Sequence, residues 1–120
     1  MSAAKYGLHN LCAMVDVNGL QIDGKTADVM PTEPLDQKYA AFGWHVIQID
    51  GHDFDQIKSA LAEAKTVKGK PTMILAKTVK GKGVSYMEDN AGWHGKAPNE
   101  EQYAKGRAEL EDLLKRLEAE

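Results

Sequence analysis

Leu11-Cys12-Ala13-Met14-Val15 runs straight into Asp16-Val17-Asn18-Gly19-Leu20-Gln21-Ile22-Asp23-Gly24, and the reading of this stretch decides the fold. A short apolar run of this kind is the pattern of a strand covered on both faces, as in the parallel sheets of α/β proteins. It ends in Asp and Asn, at the carboxyl end of the strand, where open α/β sheets bind their ligands. Oxygen donors there suit a hard cation. Magnesium needs only one or two protein oxygens when phosphate and water complete its shell, so an Asn amide oxygen and a neighbouring backbone carbonyl suffice. A competing local reading exists. Asn18-Gly19 flanked by Val15, Val17, Leu20 and Ile22 is also the pattern of a two-residue β-hairpin.

Outward from this stretch the chain alternates strand and helix. Leu11 to Val17, His45 to Asp50 and Thr72 to Thr78 predict three parallel strands. Between the first two, Pro31-Thr32-Glu33-Pro34 breaks the chain, and Leu35, Tyr39 and Phe42 mark a short helix that stops at Gly43. Asp53 and Gln56 form a capping pair for a helix whose expected apolar face is Phe54, Ile57, Leu61 and Ala64. A last helix opens at Asn99, with Gln102 in the capping-box position and Tyr103, Leu110, Leu113, Leu114 and Leu117 on one stripe. Right-handed crossovers place these helices on both faces of a mostly parallel sheet.

Composition bounds the function. The 120 residues are 42% hydrophobic and 28% charged, within the range of one ordinary domain. Fifteen basic residues against 18 acidic ones leave a formal charge of −3, without the basic footprint of a nucleic-acid protein. No apolar run approaches the roughly 20 residues of a membrane span, and the amino terminus lacks the layout of a signal peptide, so the expected address is cytoplasmic. Cys12, alone in an apolar run, is expected to be a buried small residue rather than a nucleophile.

The segment from Lys80 to Pro98, with glycines at 81, 83, 92 and 95, is the long irregular one, and such loops in compact domains are commonly functional. It contains His94 in Trp93-His94-Gly95. The heptapeptide Ala-Lys-Thr-Val-Lys-Gly-Lys occurs at 64–70 and again at 76–82, without the spacing of a phosphate-binding P-loop. In the second copy Lys77, Lys80 and Lys82 crowd the start of the loop. Of the other histidines, His52 follows a strand's carboxyl end, His45 is expected to be half buried and His9 exposed.

These words, in this order, resemble the transketolases. The likeness runs from Lys5-Tyr6-Gly7-Leu8-His9-Asn10-Leu11 through Val15-Asp16-Val17-Asn18, Gln21-Ile22-Asp23-Gly24, Phe42-Gly43-Trp44, Asp50-Gly51-His52 and Gly69-Lys70-Pro71-Thr72 to Gly92-Trp93-His94-Gly95-Lys96-Ala97-Pro98. It is closest to the amino-terminal subunit of transketolases split into two polypeptides. The Asn18 segment resembles the second half of that family's thiamine diphosphate motif, whose Gly-Asp-Gly opening has no counterpart here. The resemblance implies a partial thiamine diphosphate-binding α/β fold, with residues 1–120 the carboxyl-terminal part of the diphosphate-binding domain. It implies thiamine diphosphate and Mg2+ as cofactors. Asn18 becomes a metal ligand through its side chain and Leu20 one through its carbonyl; Ile22 packs against the cofactor, and His94 contacts it and handles protons.

The implied activity is transfer of a two-carbon ketol unit between sugar phosphates within a larger assembly. The implied partners are a pyrimidine-binding domain or a carboxyl-terminal subunit of the same enzyme, in a homo-oligomer or heteromer. Other thiamine enzymes, such as deoxyxylulose-phosphate synthases and the dehydrogenase first components, share the motif. A chain without Gly-Asp-Gly also fits a non-catalytic truncated fragment that only binds a partner.

Overall fold

The computed structural model describes residues 1–119. In chain order the elements are α1 (Ser2–Lys5), β1 (Cys12–Val17), β2 (Leu20–Gln21), β3 (Gly24–Lys25), α2 (Thr26–Val29), α3 (Leu35–Ala41), β4 (His45–Asp50), α4 (Phe54–Thr66), β5 (Thr72–Lys77), a 3-10 turn (Ala91–Trp93) and α5 (Glu100–Glu118). They form two compact units, one of residues 1–17 and 31–78, the other of residues 18–30 and the chain from Val79 onward. Among the described residues no helix is long and apolar enough to cross a membrane.

The first unit is a three-stranded parallel sheet flanked by helices. Its order is β1-β5-β4, with Cys12 and His45 both in register with Thr72. The run Thr72 to Ala76 is buried throughout, because β5 is the central strand and is covered on both faces. Ile74 is wholly enclosed, and Ile49, Ala60 and Ala76 pack around it with Ile47 and Ile57 at the margin.

The flanking strand β1 departs from the expectation. Its residues alternate between exposed and half buried: Cys12, Met14 and Asp16 face solvent while Ala13, Val15 and Val17 turn inward. One face of the strand is open, and Cys12, which lies on it, is exposed rather than buried.

Helix α4 opens as the sequence indicates. The Asp53 carboxylate accepts from the backbone N–H of Asp55 (2.9 Å) and of Gln56 (3.1 Å), and the Gln56 side-chain amide donates to its other oxygen. These bonds, the Gln56 backbone N–H foremost, hold the Asp53 carboxyl below its ordinary value. The buried face is Ile57, Ala60 and Ala64, whereas Phe54 is 80% exposed and Leu61 is also open. At about 100° per residue, Phe54 and Leu61 fall on one flank of the alanine stripe, and the small side chains let that stripe carry the contact with the sheet.

In the second unit, Asn18-Gly19 does not turn a hairpin. Strand β1 pairs with β5 from Cys12 to Val17 and not with the residues that follow it. The hairpin is instead β2–β3, antiparallel, with Ile22-Asp23 as its two-residue loop. Helix α5 has the expected capping box: Asn99 Oδ1 accepts from Gln102 N–H and Gln102 Oε1 from Asn99 N–H, both at 2.9 Å. Its apolar stripe is largely uncovered, since Tyr103, Leu110, Leu114 and Leu117 are all exposed. With Val84, Met87 and Pro98 part of that stripe lines an apolar groove of about 390 Å³.

Contiguous exposed apolar surface of this kind drives association. Replacing Leu114 and Leu117 by lysine should lower self-association of the chain, read by light scattering, with the melting temperature held within a few degrees. An unchanged association state would show that this stripe is not the adhesive surface.

Candidate functional site

Antiparallel pairing builds the site from Asn18 forward. Gln21 and Gly24 close the hairpin, and two pairs further out the Thr26 N–H donates to the Gly19 carbonyl at 2.9 Å. Hydrogen-bonded and non-hydrogen-bonded pairs alternate in such a ladder, so the intervening pair, Leu20 and Lys25, points its backbone groups outward. The outward N–H of Leu20 donates to Asn18 Oδ1 at 2.8 Å, an Asx turn that fixes the Asn18 amide. The same alternation turns the Leu20 carbonyl away from β3. Gly19, at φ +72°, supplies the left-handed residue that this turn requires.

The long loop supplies the other wall. Its Asp89 N–H donates to the Lys80 carbonyl (3.0 Å), and Asn90 caps the 3-10 turn by accepting from Gly92 N–H (2.9 Å). The loop is tied to α5 at two points. The Glu109 carboxylate accepts from both the hydroxyl (2.6 Å) and the amide (2.7 Å) of Ser85, and the Tyr86 hydroxyl donates to the Gln102 carbonyl (2.6 Å). Trp93, next to His94, donates its indole N–H to the Tyr86 carbonyl at 2.8 Å.

Asn18, Leu20, Gln21, Ile22, Lys80, Ala91 and His94 line one cleft of about 260 Å³. All four residues singled out from the sequence, Asn18, Leu20, Ile22 and His94, thus lie together. Of the three clustered lysines the cleft takes Lys80; Lys77 ends β5 and Lys82 faces Glu88 at 3.9 Å. Gln21 and Ala91 join them without a sequence signal of their own. Gln21 follows from the hairpin register, which is hidden once Asn18-Gly19 is taken as the turn.

The other histidines stand elsewhere. His45 Nε2 meets Glu63 Oε1 at 2.6 Å, His9 is exposed in the turn before β1, and His52 donates its backbone N–H to Asp50 at the end of β4.

The chemistry of the cleft is that of anion and hard-cation binding. Two neutral oxygens, the Asn18 amide and the Leu20 carbonyl, suit magnesium provided an anionic ligand brings the negative charge. Among the described residues no group of three or more His, Cys, Asp or Glu side chains could hold a metal without such help. An ammonium and an imidazole on the opposite wall suit the oxygens of a phosphate. The donors present therefore fit a magnesium diphosphate.

The chain thus combines a parallel α/β sheet with a cleft whose donors fit a magnesium diphosphate. Residues 1–111 match the family model described as the transketolase thiamine diphosphate-binding domain, and the chain belongs to that family. It is 48% identical over 111 residues to the 6-deoxy-6-sulfo-D-fructose transketolase subunit SqwG of Clostridium sp. (strain MSTE9), covering 92% of this chain and 40% of that one. Over 120 residues it is 38% identical to one subunit of the apulose-4-phosphate transketolase of Phocaeicola vulgatus, covering 100% of this chain and 43% of that one. The crystal structure of transketolase from Campylobacter jejuni superposes with a TM-score of 0.82 at 32% identity, covering 89% of this chain and 17% of that one. The chain thus spans about two fifths of the length of the two curated subunits it matches.

Hydrogen bonds from Ser85, its hydroxyl foremost, hold the Glu109 carboxyl below its ordinary value of 4.5. A carboxylate depressed in the folded state contributes stability that is complete above the unfolded value and lost as pH falls through the folded one. Exchange protection of the Ser85 amide should hold at neutral pH and disappear only below about 4.5. Ser85→Ala should move that loss to higher pH. Protection unchanged by either acid or substitution would show that the clasp does not hold the loop.

Proposed function

We propose that this chain supplies diphosphate- and magnesium-binding groups of a transketolase-type enzyme, which moves a two-carbon ketol unit between sugar phosphates. The observation that carries the reading is the convergence of the Asn18 amide, the Leu20 backbone, Lys80 and His94 on one cleft. Asn18 Oδ1 and the Leu20 carbonyl ligate Mg2+. Lys80 neutralises the diphosphate, Ile22 packs against the organic part of the cofactor, and His94 contacts the diphosphate or holds a proton near the reacting ring. When bound, thiamine diphosphate supplies the nucleophilic carbon, and the protein contributes binding, orientation and proton handling.

Membership of the transketolase family and the split-type relatives favour this reading over other thiamine enzymes. The same relatives support assembly with a second polypeptide that completes the site. The exposed stripe of α5 is consistent with a chain that works in an assembly.

Two neutral ligands leave most of the cation's shell to water and diphosphate, so the 120-residue chain alone should bind thiamine diphosphate and Mg2+ more weakly than micromolar in a calorimetric titration. In the complete enzyme, Asn18→Ala should weaken metal-dependent cofactor binding by about tenfold, the scale of ~1.4 kcal/mol. His94→Ala should lower ketol-transfer turnover while leaving the melting temperature nearly unchanged, because an exposed loop side chain supports little core. Tight binding by the isolated chain, or unchanged cofactor affinity in Asn18→Ala, would contradict the assignment.

A further inference from the structure

Gly106 is the buried residue of α5, in a helix interior where glycine is unfavourable relative to alanine. The reason for its presence is steric. A Cβ at this position would stand 2.9 Å from the Tyr86 hydroxyl oxygen and 3.3 Å from a Val84 methyl. The hydroxyl thus sits in a notch that only glycine leaves open, and from there it donates to the Gln102 carbonyl at 2.6 Å. Lys105 adds a cation over the Tyr86 ring, 5.5 Å from its centre.

What Tyr86 holds in turn is the cleft wall. Its carbonyl accepts the Trp93 indole N–H at 2.8 Å, and the two rings pack tilted with centroids 5.2 Å apart. Trp93 is half buried and closes the 3-10 turn, to whose Ala91 carbonyl the His94 backbone N–H donates at 2.9 Å. Ala91 and His94 both line the cleft. The path from helix to site is therefore short and made of specified contacts: Gly106 notch, Tyr86 hydroxyl, Tyr86 carbonyl, Trp93 indole, His94.

We propose that Tyr86 is a positioning residue: the steric fit of its ring end against the Gly106 notch sets where Trp93 and His94 stand in the cleft. This inference rests on the reading of that cleft as the diphosphate site. Tyr86 does not line the cleft; it acts through Trp93.

The size complementarity supplies the test. In Gly106→Ala the added methyl displaces the hydroxyl, and in Gly106→Ala/Tyr86→Phe the hydroxyl is gone, so the methyl fits. Heteronuclear NMR of the full chain would follow the Trp93 indole N–H and the His94 ring resonances in each variant. The expected result is displacement of both in Gly106→Ala and their return in the double variant. Inorganic pyrophosphate with Mg2+, titrated at millimolar concentration, should bind Gly106→Ala on the order of 10–100-fold more weakly, with recovery in the double variant.

His94 resonances that stay in place in Gly106→Ala would overturn the proposal. So would displacement that persists in the double variant, since a ring end that again clears the helix would then not restore the wall. Failure of the cofactor reading has a different signature: pyrophosphate with Mg2+ would leave Asn18, Lys80 and His94 of the unsubstituted chain unmoved, whatever the ring resonances of the variants do.

Discussion

Parallel pairing of β1 with β5 is the constraint on which the rest depends. Six residues, Cys12 to Val17, are held in register with Thr72 to Lys77, and the Thr78 hydroxyl reaches across to donate to Asp16. The chain leaves this sheet after Val17 instead of returning along the outer edge of β1. Asn18 and Gly19 do not form the hairpin that their own chemistry favours, and the turn lies four residues on, at Ile22-Asp23. That shift places Leu20 at an outward-pointing position of the short β2–β3 ladder. It also leaves the Asn18 amide free to cap the Leu20 N–H.

The cleft that results divides its labour by charge. One wall, from the hairpin, is neutral oxygen; the other, from the loop, carries an ammonium and an imidazole. Neither wall could hold a bare cation or a bare diphosphate well, because the first lacks negative charge and the second offers few donors. Together they suit a cation and an anion that arrive as one complex, each lowering the cost of desolvating the other. The apolar groove along α5 is larger but unsuited to this task, for its charged members Arg107 and Glu111 are paired with each other at 2.7 Å.

Much of this is legible in the residues, and the failures have physical causes. The central strand is evident because Thr72 to Ala76 is apolar without alternation, and the capping pairs of α4 and α5 because such pairs are local. Strand β1 looks equally buried in the sequence, yet its open face exposes Cys12 and Met14, since a sequence records the apolarity of a face and not whether a layer covers it. Side-chain hydrophobicity points the face of α4 toward Phe54 and Leu61, because the alanines that make the contact carry little signal. The four candidate site residues come from resemblance rather than local pattern, which by itself favours the hairpin. The choice of Lys80 among three lysines, and the fit of Tyr86 to Gly106, depend on residues brought together across the chain and have no sequence signature at all.

The central claim is that the Asn18–Leu20 turn and the Lys80–His94 loop segment form one binding site. Backbone amide NMR of the full chain, titrated with thiamine diphosphate and Mg2+ to millimolar concentration where a weak site fills, tests it most directly. The account predicts that the residues of the turn (Asn18 to Ile22), Lys80, Ala91 and His94 shift together along a single isotherm, and that the shifts require magnesium. Shifts confined to the apolar groove of α5, or two walls of the cleft that respond at different ligand concentrations, would contradict it.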